Sequence, residues 1–335
     1  MVRAAILGLG RWGRSFVRSV AGKTDDIRFV AALTRTPAKA QAFCDEVGLP
    51  MATSYEAILS DPAIDAVVLA TPHSQHEAQV KAAAAAGKHI LVEKPMALTR
   101  ASAEAQVAAA RDAGVLLAVG FNRRFHPSIC ALREHVKDGR LGALVGMVGQ
   151  HTSGIAPFIA AGEWRMTPEE SPGGAITGVG VHTLDHMIEL GGKVETVRAV
   201  TSRRGVQCSD DTTAILLRFA SGLTATMFCS LSTAPNLSFT VYGTKGLAEV
   251  SAADLSAFRF VPMPVAMPDG PVTAPPPERQ THAGFDMQHA ELVAFARAIR
   301  EGTPYPVAIE DVLHGMSVFD AIVASTLSGR EEPVA

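Results

Sequence analysis

The stretch Ala4-Ala5-Ile6-Leu7-Gly8-Leu9-Gly10-Arg11-Trp12-Gly13 decides the fold of the N-terminal half of this chain. Its apolar residues 4–7 predict a buried parallel strand, and three glycines spaced G-x-G-x-x-G follow at once. In this pattern Gly8 makes a tight turn, Gly10 leaves room for a diphosphate, and Gly13 lets the next helix pack closely. The N-terminal amides of that helix, predicted over 15–21, would bind the diphosphate. A purely structural glycine-rich turn is the alternative.

The remainder of residues 1–121 alternates between strand and helix patterns. Strands are predicted over 27–33, 65–70, 89–93 and 115–119, and helices over 37–47, 76–86 and 101–113. Strands separated by helices of this length form a doubly wound parallel sheet, which binds its ligand at the carboxyl ends of the strands. We therefore predict a dinucleotide-binding Rossmann domain over residues 1–121.

From residue 122 the pattern changes to consecutive strands. After a helix over 127–138, strands are predicted over 144–151, 194–203, 212–219, 223–231, 237–242 and 247–251. Ser221-Gly222 and Thr244-Lys245-Gly246 supply hairpin turns. Helices over 175–190, 287–300 and 311–327 would cover one face of this sheet, and the seven prolines of 262–277 predict an irregular loop. The expected fold class is α/β, with a second domain over 122–335 built on an open, mainly antiparallel sheet.

Composition narrows the class of protein. The chain has 335 residues, of which 47% are hydrophobic and 19% charged, so two domains with sizeable cores are expected. A net charge of -3 predicts neither nucleic-acid nor membrane binding. Cys44, Cys130, Cys208 and Cys229 lack C-x-x-C spacing, which is typical of reduced intracellular thiols. With no signal-peptide or membrane-spanning pattern, we expect a soluble cytoplasmic protein.

The tripeptide Glu93-Lys94-Pro95 follows the predicted strand 89–93, at the same edge of the sheet as the glycine turn. A lysine held at that edge can approach a nicotinamide ring and exchange a proton with a substrate oxygen. An ordinary surface lysine at the end of a strand is the alternative.

Several further motifs occur in a fixed order. They are Ala70-Thr71-Pro72-His73 with His76, Gly87-Lys88-His89, Gly120-Phe121-Asn122-Arg123-Arg124-Phe125, Trp164-Arg165, and Gly173-Gly174 followed by Gly180-Val181-His182-Thr183-Leu184-Asp185. Together with the glycine turn and Glu93-Lys94-Pro95, they make the sequence resemble the Gfo/Idh/MocA family of oxidoreductases over nearly the whole chain. The resemblance implies a Rossmann domain and an α/β domain with an open antiparallel sheet, which hold a nicotinamide cofactor between them.

The resemblance also implies roles for individual residues. Lys94 would be the proton-transfer residue. The cofactor-binding residues predicted from the glycine turn and from the match are Gly8, Gly10, Arg11, Trp12, Gly13, Thr71, Pro72, His76, Glu93, Lys94, Arg123, Trp164 and Arg165.

The helix after Gly173-Gly174 departs from the family pattern. Many dehydrogenases of the family carry an aspartate four residues before the histidine, where this chain has Gly178. We assign His182 to hydrogen-bonding or protonating the substrate oxygen, and Asp185 to orienting it or binding a substrate hydroxyl. Gly178 indicates a less polar pocket, another substrate class, or a cofactor binder without catalysis.

His182 and His186 have the spacing of a metal pair but lack a third ligand, so no metal is predicted.

The end of the second strand indicates which cofactor is preferred. Thr34-Arg35-Thr36 contains no carboxylate to bind the ribose 2'-hydroxyl of NAD and repel a 2'-phosphate. Arg35 can pair with that phosphate, and Thr34 and Thr36 can donate to it, which favours NADP. If Arg35 only stacks on the adenine, NAD binds as well.

These observations predict an NADP-preferring oxidoreductase. It would transfer a hydride between the nicotinamide and a hydroxyl or carbonyl carbon of a small polar substrate such as a sugar or cyclitol. Lys94 would move the proton, Lys94, His182 and Asp185 would bind the substrate, and the C-terminal sheet would form a homodimer or homotetramer. Two alternatives are a non-catalytic nucleotide-sensing member of the family and a glycosidase-type enzyme that recycles its cofactor.

Overall fold

The computed structural model describes residues 1–159, 163–205, 210–266 and 272–335. Residues 1–122 alternate strands with helices, as predicted. In chain order they are β1 (Val2–Leu7), α1 (Arg11–Val20), β2 (Ile27–Leu33), α2 (Pro37–Val47), α3 (Tyr55–Ser60), β3 (Ala66–Leu69), α4 (His76–Ala85), β4 (His89–Glu93), α5 (Arg100–Asp112) and β5 (Leu117–Gly120).

The rest of the chain contains more strands than helices. Its elements are α6 (Pro127–Lys137), β6 (Leu144–Thr152), α7 (Val181–Gly191), β7 (Val194–Ser202), β8 (Thr212–Phe219), β9 (Thr224–Ser230), β10 (Asn236–Gly243), β11 (Gly246–Ser251), β12 (Ala257–Pro262), β13 (Val265–Ala266), β14 (Val272–Thr273), β15 (Glu278–Thr281), α8 (Met287–Glu301), α9 (Ile309–Ser328) and β16 (Glu332–Pro333). A π-helical turn, Ile176–Gly180, leads directly into α7.

The chain divides into two compact units. The first comprises residues 1–122 and 286–316, and the second comprises 123–285 and 317–335. The predicted division at 121/122 therefore assigned 286–316 to the wrong side. The physical reason is that α8 packs on α1, β1 and β2, where Gln288 accepts a hydrogen bond from Ser15 and the His289 ring contacts the Ser19 carbonyl at 2.9 Å.

The first unit contains a five-stranded sheet in the order β2-β1-β3-β4-β5. All of its strand pairs are parallel, which confirms the predicted doubly wound sheet. β3 is buried along its whole length, so its continuous run of apolar residues fits a strand covered on both faces. The sequence analysis missed α3, a short helix whose N-terminus is capped by the Ser54 side chain.

The second unit contains a nine-stranded sheet in the order β15-β12-β11-β10-β6-β9-β8-β7-β16. It is mainly antiparallel, as predicted, but β6 and β9 pair in parallel. The two predicted hairpin turns connect β8 to β9 and β10 to β11. One face is covered by α6 and α7, and Ser325 of α9 accepts a hydrogen bond from the Ala199 amide of β7. The expectation that α8 also covers this sheet is wrong, because α8 belongs to the first unit.

The proline-rich stretch 262–277 is only partly the predicted irregular loop. Within it β13 pairs with β14 in antiparallel register, while residues 267–271 lie outside the described part of the chain. The sequence analysis also missed β12, β15 and β16. All four residues of β15 are exposed, so this edge strand carries no alternation of apolar and polar residues by which to recognise it. No helix in the described ranges is long and apolar enough to cross a membrane.

Candidate functional site

The glycine turn of the first unit has the geometry of a diphosphate cradle. Gly8 adopts a φ of +95°, and a Cβ there would lie 2.5 Å from the Ala70 carbonyl oxygen. A Cβ on Gly13 would overlap the Gly8 carbonyl oxygen, whereas one on Gly10 would meet nothing within 4 Å. The space in front of Gly10 therefore stays open. α1 begins here with no side-chain cap and no acidic residue in its first turn, so its N-terminal amides are suited to an anion.

The residues predicted to select the cofactor lie after β2. Arg35 and Thr36 are exposed and Thr34 is half-buried. Arg14 binds the glycine turn to α2, because its guanidinium donates to the Leu9 carbonyl at 3.1 Å and to the Lys39 carbonyl at 2.5 Å. This segment is thus held beside the glycine turn while the Arg35 side chain remains accessible.

Glu93 connects the glycine turn to the segment that carries Lys94. The Trp12 indole donates to Glu93 Oε1 at 2.5 Å, and the Lys94 amide lies 3.3 Å from Glu93 Oε2. A Cβ on Gly120 would come within 3.1 Å of Glu93 Oε1, so the glycine makes room for this carboxyl group. The Lys94–Pro95 peptide bond is cis, and the Lys94 side chain is half-buried. Trp12 and Glu93, both predicted to contact the cofactor, thus bind each other directly.

A second carboxyl group, Glu291 of α8, is completely buried in the same unit. Burial raises its pKa well above 4.5, and the neighbouring Glu93 raises the pKa further, against smaller opposing effects of Tyr305 and Lys94. Burial therefore favours the neutral, protonated form of Glu291 in the folded chain. The sequence analysis missed this residue, because nothing in the helical pattern of α8 distinguishes it from a solvent-facing glutamate.

His76 is also completely buried. Its Nε2 lies 3.1 Å from the Thr71 carbonyl oxygen and its Nδ1 lies 3.3 Å from the Met96 carbonyl oxygen. Gln106 of α5 donates to the same Met96 oxygen at 2.9 Å. In this structure His76 therefore holds two loops in place, and the cofactor contact predicted for it stays a prediction.

Other predicted cofactor residues are spread over both units. Arg11, the first residue of α1, is exposed, and Pro72 is half-buried after β3. In the second unit the Arg165 guanidinium stacks on the Trp164 ring at 4.1 Å from its centroid. Arg165 is exposed, so solvent reaches its charged group.

His182 of the second unit lies in a basic environment. It is 5% exposed on α7, and its ring centroid is 6.2 Å from that of His151 on β6. Arg123 Nη2 lies 3.0 Å from His151 Nε2. Because arginine can only donate, His151 Nε2 accepts, which leaves Nδ1 of that ring to carry a proton. Burial lowers the pKa of Arg123 to about 10, so Arg123 remains charged at neutral pH.

Asp185, predicted to orient His182 or bind a substrate hydroxyl, has a different partner here. Arg124 donates Nε to one Asp185 oxygen at 2.8 Å and Nη2 to the other at 2.7 Å. Both side chains are almost completely buried. A bidentate pair of this kind fixes the position of α7. A direct contact with substrate would need the remaining lone pairs of the carboxylate and stays a prediction.

His186 completes the buried charge cluster behind His182. Burial lowers its pKa well below 6.5, and Arg124, Arg123 and Arg133 lower it further. The nearest carboxylate oxygens, of Asp185 and Glu189, lie 3.9 and 4.0 Å from His186 Nδ1.

Within the described residues, no group of three or more His, Cys, Asp or Glu side chains could hold a metal ion. Cys44, Cys130 and Cys229 form no disulfide there, and Cys208 lies outside the described residues.

Gly178, where the resemblance led us to expect an aspartate, is exposed at the centre of the π-helical turn. A Cβ at this position would meet only Leu231 side-chain carbons, at 3.5 and 3.6 Å, which is ordinary van der Waals contact. The glycine is therefore not required by space. An aspartate side chain would therefore fit here and would add a carboxylate to the turn.

The parallel sheet with its glycine cradle and the second unit with its mixed sheet define the class of two-unit nucleotide-binding oxidoreductases. Residues 2–121 match GFO_IDH_MocA, described as an oxidoreductase family with an NAD-binding Rossmann fold. Residues 129–249 match the GFO/IDH/MocA C-terminal domain. The chain belongs to the Gfo/Idh/MocA family, as its motifs predicted.

Two of the relatives that the chain resembles are dehydrogenases. The chain is 31% identical over 331 residues to a D-xylose 1-dehydrogenase (NADP(+)) of Haloferax volcanii. This match covers 97% of the present chain and 97% of the relative. It is 32% identical over 224 residues to trans-1,2-dihydrobenzene-1,2-diol dehydrogenase of Sus scrofa, and this match covers 66% of the present chain and 65% of the pig enzyme. The fold is that of levoglucosan dehydrogenase in complex with NADH and L-sorbose, with a TM-score of 0.89, 22% identity and coverage of 100% and 99%.

Proposed function

We propose that this protein is an NAD(P)-dependent oxidoreductase acting on a hydroxyl or carbonyl carbon of a small polar substrate. The observation that carries the proposal is the open glycine cradle, connected through the Trp12–Glu93 hydrogen bond to the segment bearing Lys94. Gly8, Gly10, Gly13 and the first amides of α1 would hold the diphosphate. The nicotinamide, when bound, supplies or accepts the hydride.

Lys94 and His182 carry the proton chemistry in this proposal. Lys94 exchanges a proton with the substrate oxygen, because it follows the strand whose carboxyl end meets the glycine turn. His182 donates a hydrogen bond to that oxygen. Its burial restricts the imidazole, and a restricted donor keeps the reacting groups close to their reactive geometry.

The proposed substrate class is a sugar, cyclitol or related polyol or diol. Support comes from the xylose and dihydrobenzene-diol dehydrogenases that the chain resembles. Gly178 makes the site less acidic than that of many family members, so substrate range is the part of the proposal that most needs measurement.

NADP is the proposed preferred cofactor, because Arg35 is exposed beside the glycine turn. Arg35→Ala should weaken NADP binding by about 1.5–3 kcal/mol, the scale of a charged hydrogen bond, and leave NAD binding nearly unchanged. Dissociation constants for both cofactors, measured by calorimetry, test this. Equal losses would mean that Arg35 only stacks on the adenine.

We further propose a homodimer or homotetramer formed through the exposed face of the nine-stranded sheet. Large apolar side chains point outward there, including Val200 at 62%, Leu216 at 47% and Phe228 at 40% exposure. An apolar patch of this kind is typical of an interaction surface. Leu216→Arg should reduce the molecular mass measured by light scattering.

The cytoplasmic location is also a proposal, based on the cysteine pattern.

The primary test is thermal denaturation with NADP, NADPH, NAD and NADH. A ligand at about 100 times its Kd that binds only the folded state adds about 2.7 kcal/mol. A shift should be followed by a panel of sugars, cyclitols and diols, monitored by nicotinamide absorbance. Binding without turnover on the whole panel would instead support the nucleotide-sensing alternative. Product formation without net change in reduced cofactor would support the cofactor-recycling alternative.

A further inference from the structure

His76 touches two separate loops of the first unit from a completely buried position. One ring nitrogen lies 3.1 Å from the Thr71 carbonyl oxygen, in the loop after β3. The other lies 3.3 Å from the Met96 carbonyl oxygen, two residues after Lys94. Both partners are carbonyl oxygens, so a neutral ring donates to one of them and only packs against the other. Because the imidazole is rigid and buried, the separation of its two nitrogens still sets the separation of the two loops.

The surroundings of His76 leave these loops little freedom on either side. Met96 is 1% exposed, and its carbonyl also accepts a hydrogen bond from Gln106, which is itself completely buried. On the other side, the Thr71 hydroxyl is 2.6 Å from Gln79 Oε1, one turn after His76 on α4. A displacement of the Thr71 loop is therefore transmitted through His76 to the backbone next to Lys94.

We propose that His76 is a positioning residue that couples cofactor binding at the Thr71 loop to the placement of Lys94. The proposal rests on the proposed function, in which Thr71 contacts the cofactor and Lys94 transfers the proton. In this role His76 acts through the two loops that it contacts. Its role is to hold the Lys94 loop in its reactive position once the Thr71 loop is occupied.

Two substitutions separate the two contacts. An asparagine amide occupies the place of Nδ1, and a glutamine amide occupies the place of Nε2. His76→Asn keeps the donor to Met96 and loses the contact with Thr71, so its larger effect should be on the Kd of the cofactor. His76→Gln keeps the contact with Thr71 and loses Met96, so its larger effect should be on kcat at saturating cofactor. Each dominant loss should be about three- to tenfold, the range of one buried hydrogen bond.

Gln106→Leu is the matched control for the Met96 side, because Gln106 binds the same oxygen without touching Thr71. It should lower kcat like His76→Gln and change the cofactor Kd by less. Lys81→Met, on the exposed face of α4, controls for general perturbation of that helix and should change neither parameter by more than about twofold. Losses of equal size in both parameters for both His76 variants would overturn the proposal.

Hydrogen exchange tests the coupling without any turnover. In the wild type, cofactor should slow exchange of the amides over 94–98 as well as those over 70–73. In His76→Gln, which loses the contact with Met96, protection should remain at 70–73, where the ligand binds, and fall at 94–98. Cofactor that protects 70–73 but never 94–98 in the wild type would overturn the coupling alone. If no cofactor protects either segment, the proposed function fails first.

Discussion

The ionisable groups near the two proposed proton-handling residues differ between the units. In the first unit Lys94 is half-buried, follows Glu93 in the chain and interacts electrostatically with Glu291. In the second, His182 lies near His151, which accepts from Arg123, and the carboxylate of Asp185 is held by Arg124. The proposed proton-transfer lysine is thus placed among acids, and the proposed substrate-binding histidine among bases.

The difference teaches how each unit compensates for burying charge. An ionised group in a low-dielectric interior needs a partner or must become neutral. Glu93 accepts a hydrogen bond from the Trp12 indole, and burial raises the pKa of Glu291, which favours its neutral form. Asp185 binds Arg124 with two hydrogen bonds, while burial lowers the pKa of His186, which favours its neutral form. Each unit therefore contains one group held by hydrogen bonds and one whose neutral form is favoured.

Of the substitutions that test the difference between the two units, removal of Lys94 should have the largest effect on activity. Lys94→Ala should lower kcat by about 10²- to 10⁴-fold, the usual contribution of a general acid or base, while the cofactor Kd changes by less than about threefold. Steady-state kinetics and calorimetry measure the two effects. Lys81→Ala, an exposed lysine of the same unit, is the control. Full turnover in Lys94→Ala would refute the assignment of the proton to this residue.

Disruption of the buried Arg124–Asp185 pair in the second unit should have the next largest effect, which is a loss of stability. Arg124→Met leaves Asp185 buried without its partner and should lower the free energy of unfolding by about 3–5 kcal/mol in urea denaturation. The double variant Arg124→Met with Asp185→Leu should recover most of this loss, because it removes both partners of the buried pair while Glu189, which also pairs with Arg124, keeps Arg133. If the double variant is as unstable as the single one, packing of the Arg124 side chain matters more than its charge.

The opposite pKa shifts of Glu291 and His186 should give the units opposite responses to pH. Glu291 keeps its proton in the folded chain above 4.5, where the unfolded chain releases it, so its contribution to stability falls as pH rises. His186 stays neutral in the folded chain below 6.5, where the unfolded chain takes up a proton, so its contribution falls as pH falls. Hydrogen exchange of peptides from each unit, measured across pH, separates the two effects.

Glutamine at each position provides the control for these slopes. Glu291→Gln should flatten the loss of protection in the first unit at rising pH, and His186→Gln should flatten the loss in the second unit at falling pH. An unchanged pH dependence in either variant would assign the slope to another group.

The smallest effect is expected at Gly178, where the second unit lacks a carboxylate. Gly178→Asp should change the free energy of unfolding by no more than about 1 kcal/mol, because a Cβ there meets only ordinary contacts. Activity on sugars and cyclitols, relative to Gly178→Ala, should rise if the acid restores a proton acceptor. A large loss of stability would show that the turn needs glycine.

Much of the candidate site could be predicted from the sequence because its signals are local. The glycine spacing predicted the turn around Gly8 and Gly13, and the position of Lys94 followed from one strand and one tripeptide. The packing of α8 on the first unit could not be predicted, because an amphipathic helix fits any apolar surface. For the same reason Glu291 was missed, and the pairing of Asp185 with Arg124 depended on residues 61 apart in the chain.

The sequence alone determined the parallel sheet, the glycine cradle and the family. Strand periodicity, turn residues and motifs each depend on residues that are close together in the sequence. Only the tertiary structure decided which ionisable side chains are buried next to one another and in which direction their pKa values shift. Burial and Coulomb interactions depend on neighbours brought in from distant segments, such as α8 beside Glu93 or Arg124 beside α7. The ionisation of the proposed site is therefore a property of the folded chain.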